Sequence, residues 1–432
     1  MKVLVYGEQF HVPAYYRRWE LFAQCFPDVE LTLLTPSKIK LNNKKSFGFG
    51  DEETFGKEIQ KDRFQIRPIV RKNRIFGWTS PDFKDILVEL KPDIFYVSGG
   101  HYAMHLYQVL HLRKKYIPKM KVVSFSMRGP AYNLEMWKQR VSPLSSYIKR
   151  RFGFYYYVKY VLNYFNKNCD AVFCHYPRAV ECFRQEGYKG PIYMQTQVGV
   201  NPEVFHEDEK ARNEIREKYG LGDAYVFGSG TRFVIEKGVD DIIRALPREG
   251  NWKYLIIGAG KPEEVERVKA LVAEKNLPDK IIMTGEIGFE EMHKYWNALD
   301  CVVHVPKSSV QWEETFSIAL VQAMITGKPI IASDSGSVPY QVGPEGMIVP
   351  AGDINAIREK MLWVLSHQEE AKEIGEKMRR RAYNCFSIRH LNVLLYKTFK
   401  EDVLNGKYDK LKADMATYRT EETYEKQTKS NQ

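Results

Sequence analysis

Short apolar runs recur along the chain, each closed by Gly, Ser, Pro or Asp. The first half holds "KVLVYG", "VELTLLT", "DIFYVSGG", "KVVSFSM", "AVFCHYP" and "IYMQTQVG". After residue 223 come "AYVFGSG", "YLIIGAG", "KIIMTG", "CVVHVP", "PIIASDS" and "GMIVPAG". Most are rich in β-branched and aromatic residues with little polar alternation, as strands covered on both faces of a parallel sheet are. Helical patterns lie between many of them, among them "GVDDIIRAL", "EVERVKALVAEKN" and "EEMHKYWNAL". Strand–helix alternation in two successive sets predicts two doubly wound α/β domains. The boundary is expected in "VGVNPEVFHEDEKARNEIREK", where a strand ends and a charged segment begins. Ligands of such sheets bind beyond the carboxyl ends of the strands, so two sheets facing each other would hold the site in the cleft between them. The end of the chain, "KYDKLKADMATYRTEETYEKQTKSNQ", is polar and nearly free of aliphatics, and reads as a charged helix or a disordered tail.

Composition narrows the class. The chain has 432 residues and 44% hydrophobic content, enough for two cores. A net charge of +11 favours anionic partners such as nucleotides, sugar phosphates, acidic lipid or nucleic acid. The 6 cysteines are scattered with no CxxC pair, which suits reduced thiols in a cytoplasmic protein better than a zinc site or a disulfide framework. "MKVLVYGEQF" opens as a strand, without the basic start and apolar run of a signal peptide. No run approaches the roughly 18 apolar residues of a spanning helix.

Two constellations carry chemistry. In "GSGTRFVIEKGVDD" a strand runs through Gly230 into a loop with Arg232, Lys237 and Gly238, then a helix. Two cations at a strand's end suit a pyrophosphate, whose charge must be neutralised as a leaving group departs. The plain alternative is an exposed Arg and Lys at a helix start, where cations are electrostatically unfavourable. In "EETFSIALVQAMITGKP" a turn leads into a helix from about Ile318 to Thr326, and free N–H groups at a helix start attract anions. Glu314, ahead of that turn, is placed to accept hydrogen bonds from hydroxyls. Gln322, about two turns into the helix, either faces the same ligand or merely packs at the helix surface.

The pattern of "TRFVIEKGVDDIIRAL", "YLIIGAGKPEE", "IIMTGEIGFEEMHKYWNALDCVVHVP" and "WEETFSIALVQAMITGKPIIASDSGSVP" resembles the retaining glycosyltransferases of the GT-B fold, glycosyltransferase family 4. The likeness is strong over about residues 190–385 and looser before. It implies two Rossmann-like doubly wound domains facing a central cleft. An acceptor-binding domain would take residues 1–200, and a nucleotide-sugar-binding domain 201–385. Residues 386–432 would supply a helix crossing back to the first domain, plus the polar tail. Carried over by position, Arg232 and Lys237 match the pair that holds the donor diphosphate. Glu314 matches the first glutamate of the family's E-x7-E motif, which contacts the transferred sugar. Thr315, Phe316, Ser317 and Ile318 fall in the turn whose backbone amides touch sugar and phosphate. Thr284, Gly285, Glu286 and Ile287 fall where the base lies. The second glutamate, which binds the ribose hydroxyls, is Gln322 here; an amide still accepts from a hydroxyl, but without charge assistance. In the first domain the usual Gly-Gly loop is reduced to Gly7, for approach to a phosphate. The usual histidine is replaced around Ser126 and Met127, with Arg128 next. His101, in "SGGHYAMH", is the substitute candidate for the active site, with His11 a weaker one. The family's chemistry needs positioning and charge stabilisation rather than a metal or cofactor.

One stretch stands apart. "WKQRVSPLSSYIKRRFGFYYYVKYVLNYFNKNC", residues 137–169, has seven Lys or Arg, no Asp or Glu, and many aromatics. It suits the surface of an anionic membrane at the inner face, or else a helix packing its Tyr face on its own sheet. No nucleic-acid module accompanies it. The expected function is transfer of a hexose from a UDP- or GDP-sugar to a saccharide or lipid-linked acceptor with retention, as in surface polysaccharide or glycoconjugate synthesis. The other reading is a non-catalytic homologue that binds a nucleotide or glycan.

Overall fold

A computed structural model describes residues 1–10, 13–39, 54–55, 58–74, 77–99, 103–126, 159–277, 279–309 and 312–407. They divide into two compact units. The first takes the described residues up to Gln197 together with 391–407; the second takes Val198–His390.

The first unit is built on a sheet whose strands run, side by side, Ile192–Met194, Ala171–Cys174, Lys121–Ser126, Ile94–Ser98, Lys2–Tyr6, Glu30–Pro36, Phe64–Ile69 and Ile59–Lys61. All neighbours are parallel except the last pair. Central strands are apolar runs because helices cover both faces: Val3, Val5, Ile94, Tyr96, Val123 and Phe173 are all buried with Trp19 and Phe22. The apolar-run pattern missed Phe64–Ile69. It lies next to the edge, alternates buried and half-buried positions, and contains Pro68, so it lacks a continuous apolar run. The chain returns to this unit at Leu391, where Arg18 ties three chain segments of the unit together by hydrogen bonds. Its guanidinium donates to Asn392 Oδ1 at 3.1 Å, to the carbonyl of Thr196 at 2.9 Å, and to that of Gln197.

The second sheet has the order Ile281–Gly285, Trp252–Ile257, Tyr225–Gly230, Cys301–His304, Ile330–Ser333, Met347–Val349, all parallel. Sequence order reverses between Tyr225–Gly230 and Cys301–His304, which makes their carboxyl ends the switch point where such sheets receive ligands. The core of this unit gathers Phe227, Trp252, Ile256, Val303, Ile331 and Ile357 between sheet and helices.

All the cysteines are free, and all but Cys25 are buried. No helix among the described residues is long and apolar enough to cross a membrane. Of the basic aromatic stretch, residues 159–169 are described. Val161, Phe165 and Cys169 are buried at helical spacing while Tyr160 and Lys167 are exposed, so this part packs on its own unit. The rest of that stretch and the polar tail beyond 407 lie outside the described residues.

Candidate active site at the switch point of the second sheet

The loop after Tyr225–Gly230 closes as a single 3-10 turn, Ile235–Lys237, before the helix Val239–Ala245. Gly238 permits this turn. Its φ is +75°, and a Cβ there would sit 2.0 Å from the Val305 carbonyl oxygen. The turn is tied to the neighbouring strand's exit loop: the Lys307 amide donates to the Glu236 carbonyl at 2.7 Å, and Lys307 Nζ lies 2.9 Å from Asp241. These ties hold Lys237 inward. Arg232 on the same loop is exposed.

Glu314 arrives from the other side, on the loop before the helix Ile318–Ile325. Its carbonyl accepts from the Ser337 amide at 2.7 Å, and Gly336, with φ +56°, lets that segment run against it. Its carboxylate, expected to accept from ligand hydroxyls, is instead bonded to the Lys237 ammonium. Side-chain exposure is 13% for Lys237 and 7% for Glu314, so the pair is largely buried. The Trp312 ring lies 5.1 Å from Lys237 Nζ. One more group faces Glu314: His304, last residue of its strand, has Nε2 3.9 Å from the carboxylate. Burial drives its pKa down to about 4, and nearby Lys237 pushes the same way against Glu314. His304 Nε2 has no hydrogen-bond partner. A histidine inside "CVVHVP" reads as an ordinary strand residue, so this contact gave no signal in the sequence.

The helix start differs from expectation. Ser317 caps it, Oγ accepting from the Leu320 amide at 3.3 Å. The Ser317 amide itself is spent on Gln341 Oε1 at 2.9 Å, and Gln341 Nε2 returns a bond to the Ser317 carbonyl at 3.0 Å. That amide is therefore not offered to a phosphate; Thr315, Phe316 and Ile318 flank it in the same turn.

Gln322 is buried and does not sit on the helix surface. Its Oε1 accepts from Trp296 Nε1 at 3.1 Å, while its Nε2 has no partner. The indole can only donate, so the amide orientation is set: oxygen toward Trp296, with the NH2 group buried and unpartnered. The expected hydroxyl acceptor is thus largely engaged, and what Gln322 presents is a donor. The Trp296 ring also covers Gly230, where a Cβ would meet it at 2.3 Å. Gly230, Trp296 and Gln322 form one packed cluster beside Lys237's loop. Gly285 ends the strand Ile281–Gly285 in the left-handed region, φ +78°; it and Glu286 are exposed, with Ile287 half-buried.

In the first unit, Gly7 is buried under the Phe10 ring, 2.6 Å from where a Cβ would stand, so packing accounts for its missing side chain. His101, His11 and Arg128 lie outside the described residues.

Residues 211–381 match the family model described as "Glycosyl transferases group 1". A GDP-mannose-dependent alpha-(1-6)-phosphatidylinositol monomannoside mannosyltransferase of Mycolicibacterium smegmatis is 30% identical over 186 residues, 41% of this chain and 48% of that protein. The chain thus spans about half the length of the curated relatives it matches. Sucrose-phosphate synthase of Thermosynechococcus elongatus superposes with a TM-score of 0.65 at 17% identity, covering 93% of this chain and 98% of that one. Anabaena HepE in complex with UDP gives 0.65 at 14% identity, covering 92% and 99%. These likenesses assign the fold as GT-B.

Proposed function

We propose, from the match of residues 211–381 to the glycosyl transferases group 1 model, that the protein is a retaining glycosyltransferase that needs no metal or cofactor. It moves a hexose from a UDP- or GDP-sugar to a saccharide or lipid-linked acceptor. The observation that carries this reading is the convergence of Lys237 and Glu314, from loops 77 positions apart, at the switch point of the second sheet. A cation there stabilises the departing diphosphate, and a carboxylate beside it orients the sugar hydroxyls. Arg232, exposed on the same loop, supplies a second positive charge. Gln322 Nε2 donates to an oxygen of the nucleoside. The first unit takes the acceptor. The relative's phosphatidylinositol monomannoside acceptor supports a lipid-linked class, and the basic residues of 137–169 would bring the enzyme to an anionic membrane.

The test begins with calorimetry against UDP and GDP. Hydrolysis and transfer assays with UDP- and GDP-hexoses follow, the product anomer being read by NMR. Lys237→Ala is expected to cut transfer well over tenfold. Unchanged turnover in that variant refutes the assignment. Tight nucleotide binding without hydrolysis or transfer identifies a binding homologue instead.

A further inference from the structure

Lys237 and Glu314 are each other's partner in this structure, yet the proposed reaction asks one to face a diphosphate and the other a sugar. A buried carboxylate that loses its cation is strongly disfavoured unless another donor takes over. Among the described residues, one uncommitted donor stands close. His304 Nε2 is 3.9 Å from the same Glu314 oxygen that Lys237 holds, is buried, and bonds to nothing else. Val302, two residues back on the same face of the strand, is buried and apolar, so an aliphatic side chain at 304 would suit the fold without an orphaned nitrogen.

We propose that His304 is a positioning residue that takes hold of Glu314 when a nucleoside diphosphate draws Lys237 away. This rests on the glycosyltransferase reading above. A shift of about 1 Å brings Nε2 to hydrogen-bond distance. The Nε2–H tautomer of the neutral imidazole then donates to the carboxylate, and no proton is gained or lost. Glu314 keeps its place beside the sugar while the ammonium turns to the phosphates. The titratable groups facing His304 are Glu314, from the loop before Ile318–Ile325, and Lys237, from the 3-10 turn. Because the exchange is triggered by the diphosphate, His304 matters for ligands that carry one and not for those that lack the β-phosphate.

The experiment compares wild type, His304→Leu and His304→Gln by calorimetry with UDP, UMP, GDP and GMP. For the base the wild type binds, the leucine variant is expected to bind the diphosphate about tenfold more weakly and the monophosphate equally well. Glutamine, which restores an N–H donor, is expected to recover most of the loss. Equal diphosphate binding by the leucine variant overturns the inference; so does a parallel loss for mono- and diphosphate, which marks a packing role. If His304→Leu does not fold, the wild-type imidazole is followed by 15N NMR. A new hydrogen bond at Nε2 on diphosphate addition supports the exchange, and an unmoved resonance refutes it. A wild-type protein that binds no nucleotide removes the glycosyltransferase reading as well, whereas the other failures remove only this one.

Discussion

Replacing Lys237 with methionine keeps an unbranched apolar stem beside Trp312 and removes only the charge. What remains is the Glu314 carboxylate, 7% exposed, with the neutral His304 imidazole 3.9 Å away as its one replacement donor among the described residues, which returns a hydrogen bond but not the charge. At about 3 Å and an effective dielectric constant near 20, the lost attraction is on the order of 5 kcal/mol, offset by the relief of not burying an ammonium. Breaking a buried pair from one side costs about 3–5 kcal/mol in practice, and the partial exposure of Lys237 places the expectation near 3. Glu314→Gln strands the ammonium instead and is expected to cost a similar amount. The double variant Lys237→Met/Glu314→Gln leaves no unpaired charge and is expected within about 1 kcal/mol of wild type, a coupling of several kcal/mol. The assay is guanidinium unfolding followed by tryptophan fluorescence, since Trp252, Trp296, Trp312 and Trp363 all lie in the second unit. With a slope of about 5 kcal/mol/M, each single variant moves that unit's midpoint by about 0.6 M. Single-variant losses below about 0.5 kcal/mol, or additive losses in the double variant, refute a buried, mutually dependent pair.

Other outcomes follow from the same geometry. Gln322→Glu leaves one carboxylate oxygen on Trp296 and replaces the Nε2 donor with a charged acceptor, so binding of the preferred nucleotide should weaken by about tenfold in calorimetry; tighter binding would mean that the nucleoside offers a hydroxyl donor there. Gly238→Ala forces a side chain into positive φ and against the Val305 carbonyl, and should lower stability by about 3 kcal/mol in chemical denaturation. Arg18→Met removes the buried donors to the carbonyls of Thr196 and Gln197 inside the first unit and should cost about 3 kcal/mol there, read from the same denaturation curves. Burial holds His105 and His175 down to a pKa of about 3 and His304 to about 4, below the ordinary 6.5. The unfolded chain therefore binds more protons below pH 6.5, and stability present at pH 7 is lost as pH falls toward 4, by up to about 1.4 kcal/mol per pH unit for each histidine. His304→Leu should remove one such share from the second unit, and denaturation midpoints measured across that range check it.

The sequence by itself determined the architecture of both sheets. Their central strands are buried on both faces, so hydrophobicity runs unbroken along each and survives as a one-dimensional pattern. The loop composition and the resemblance to a known family also singled out Arg232, Lys237, Glu314 and Gln322 as candidates for one ligand, whereas the strand order that makes a switch point came from the structure. The sequence was silent on Phe64–Ile69, where edge placement allows polar alternation. Only the tertiary structure decided partners. Lys237 meets Glu314 across 77 positions, Trp296 fixes Gln322 across 26, and Gln341 occupies the Ser317 amide across 24. His304 gains its meaning solely from what stands 3.9 Å away. A hydrogen bond or ion pair is a short-range, directional interaction between residues that the fold, not the local pattern, brings together. The composition of a loop says what it can bind, whereas packing decides which of its groups are already taken.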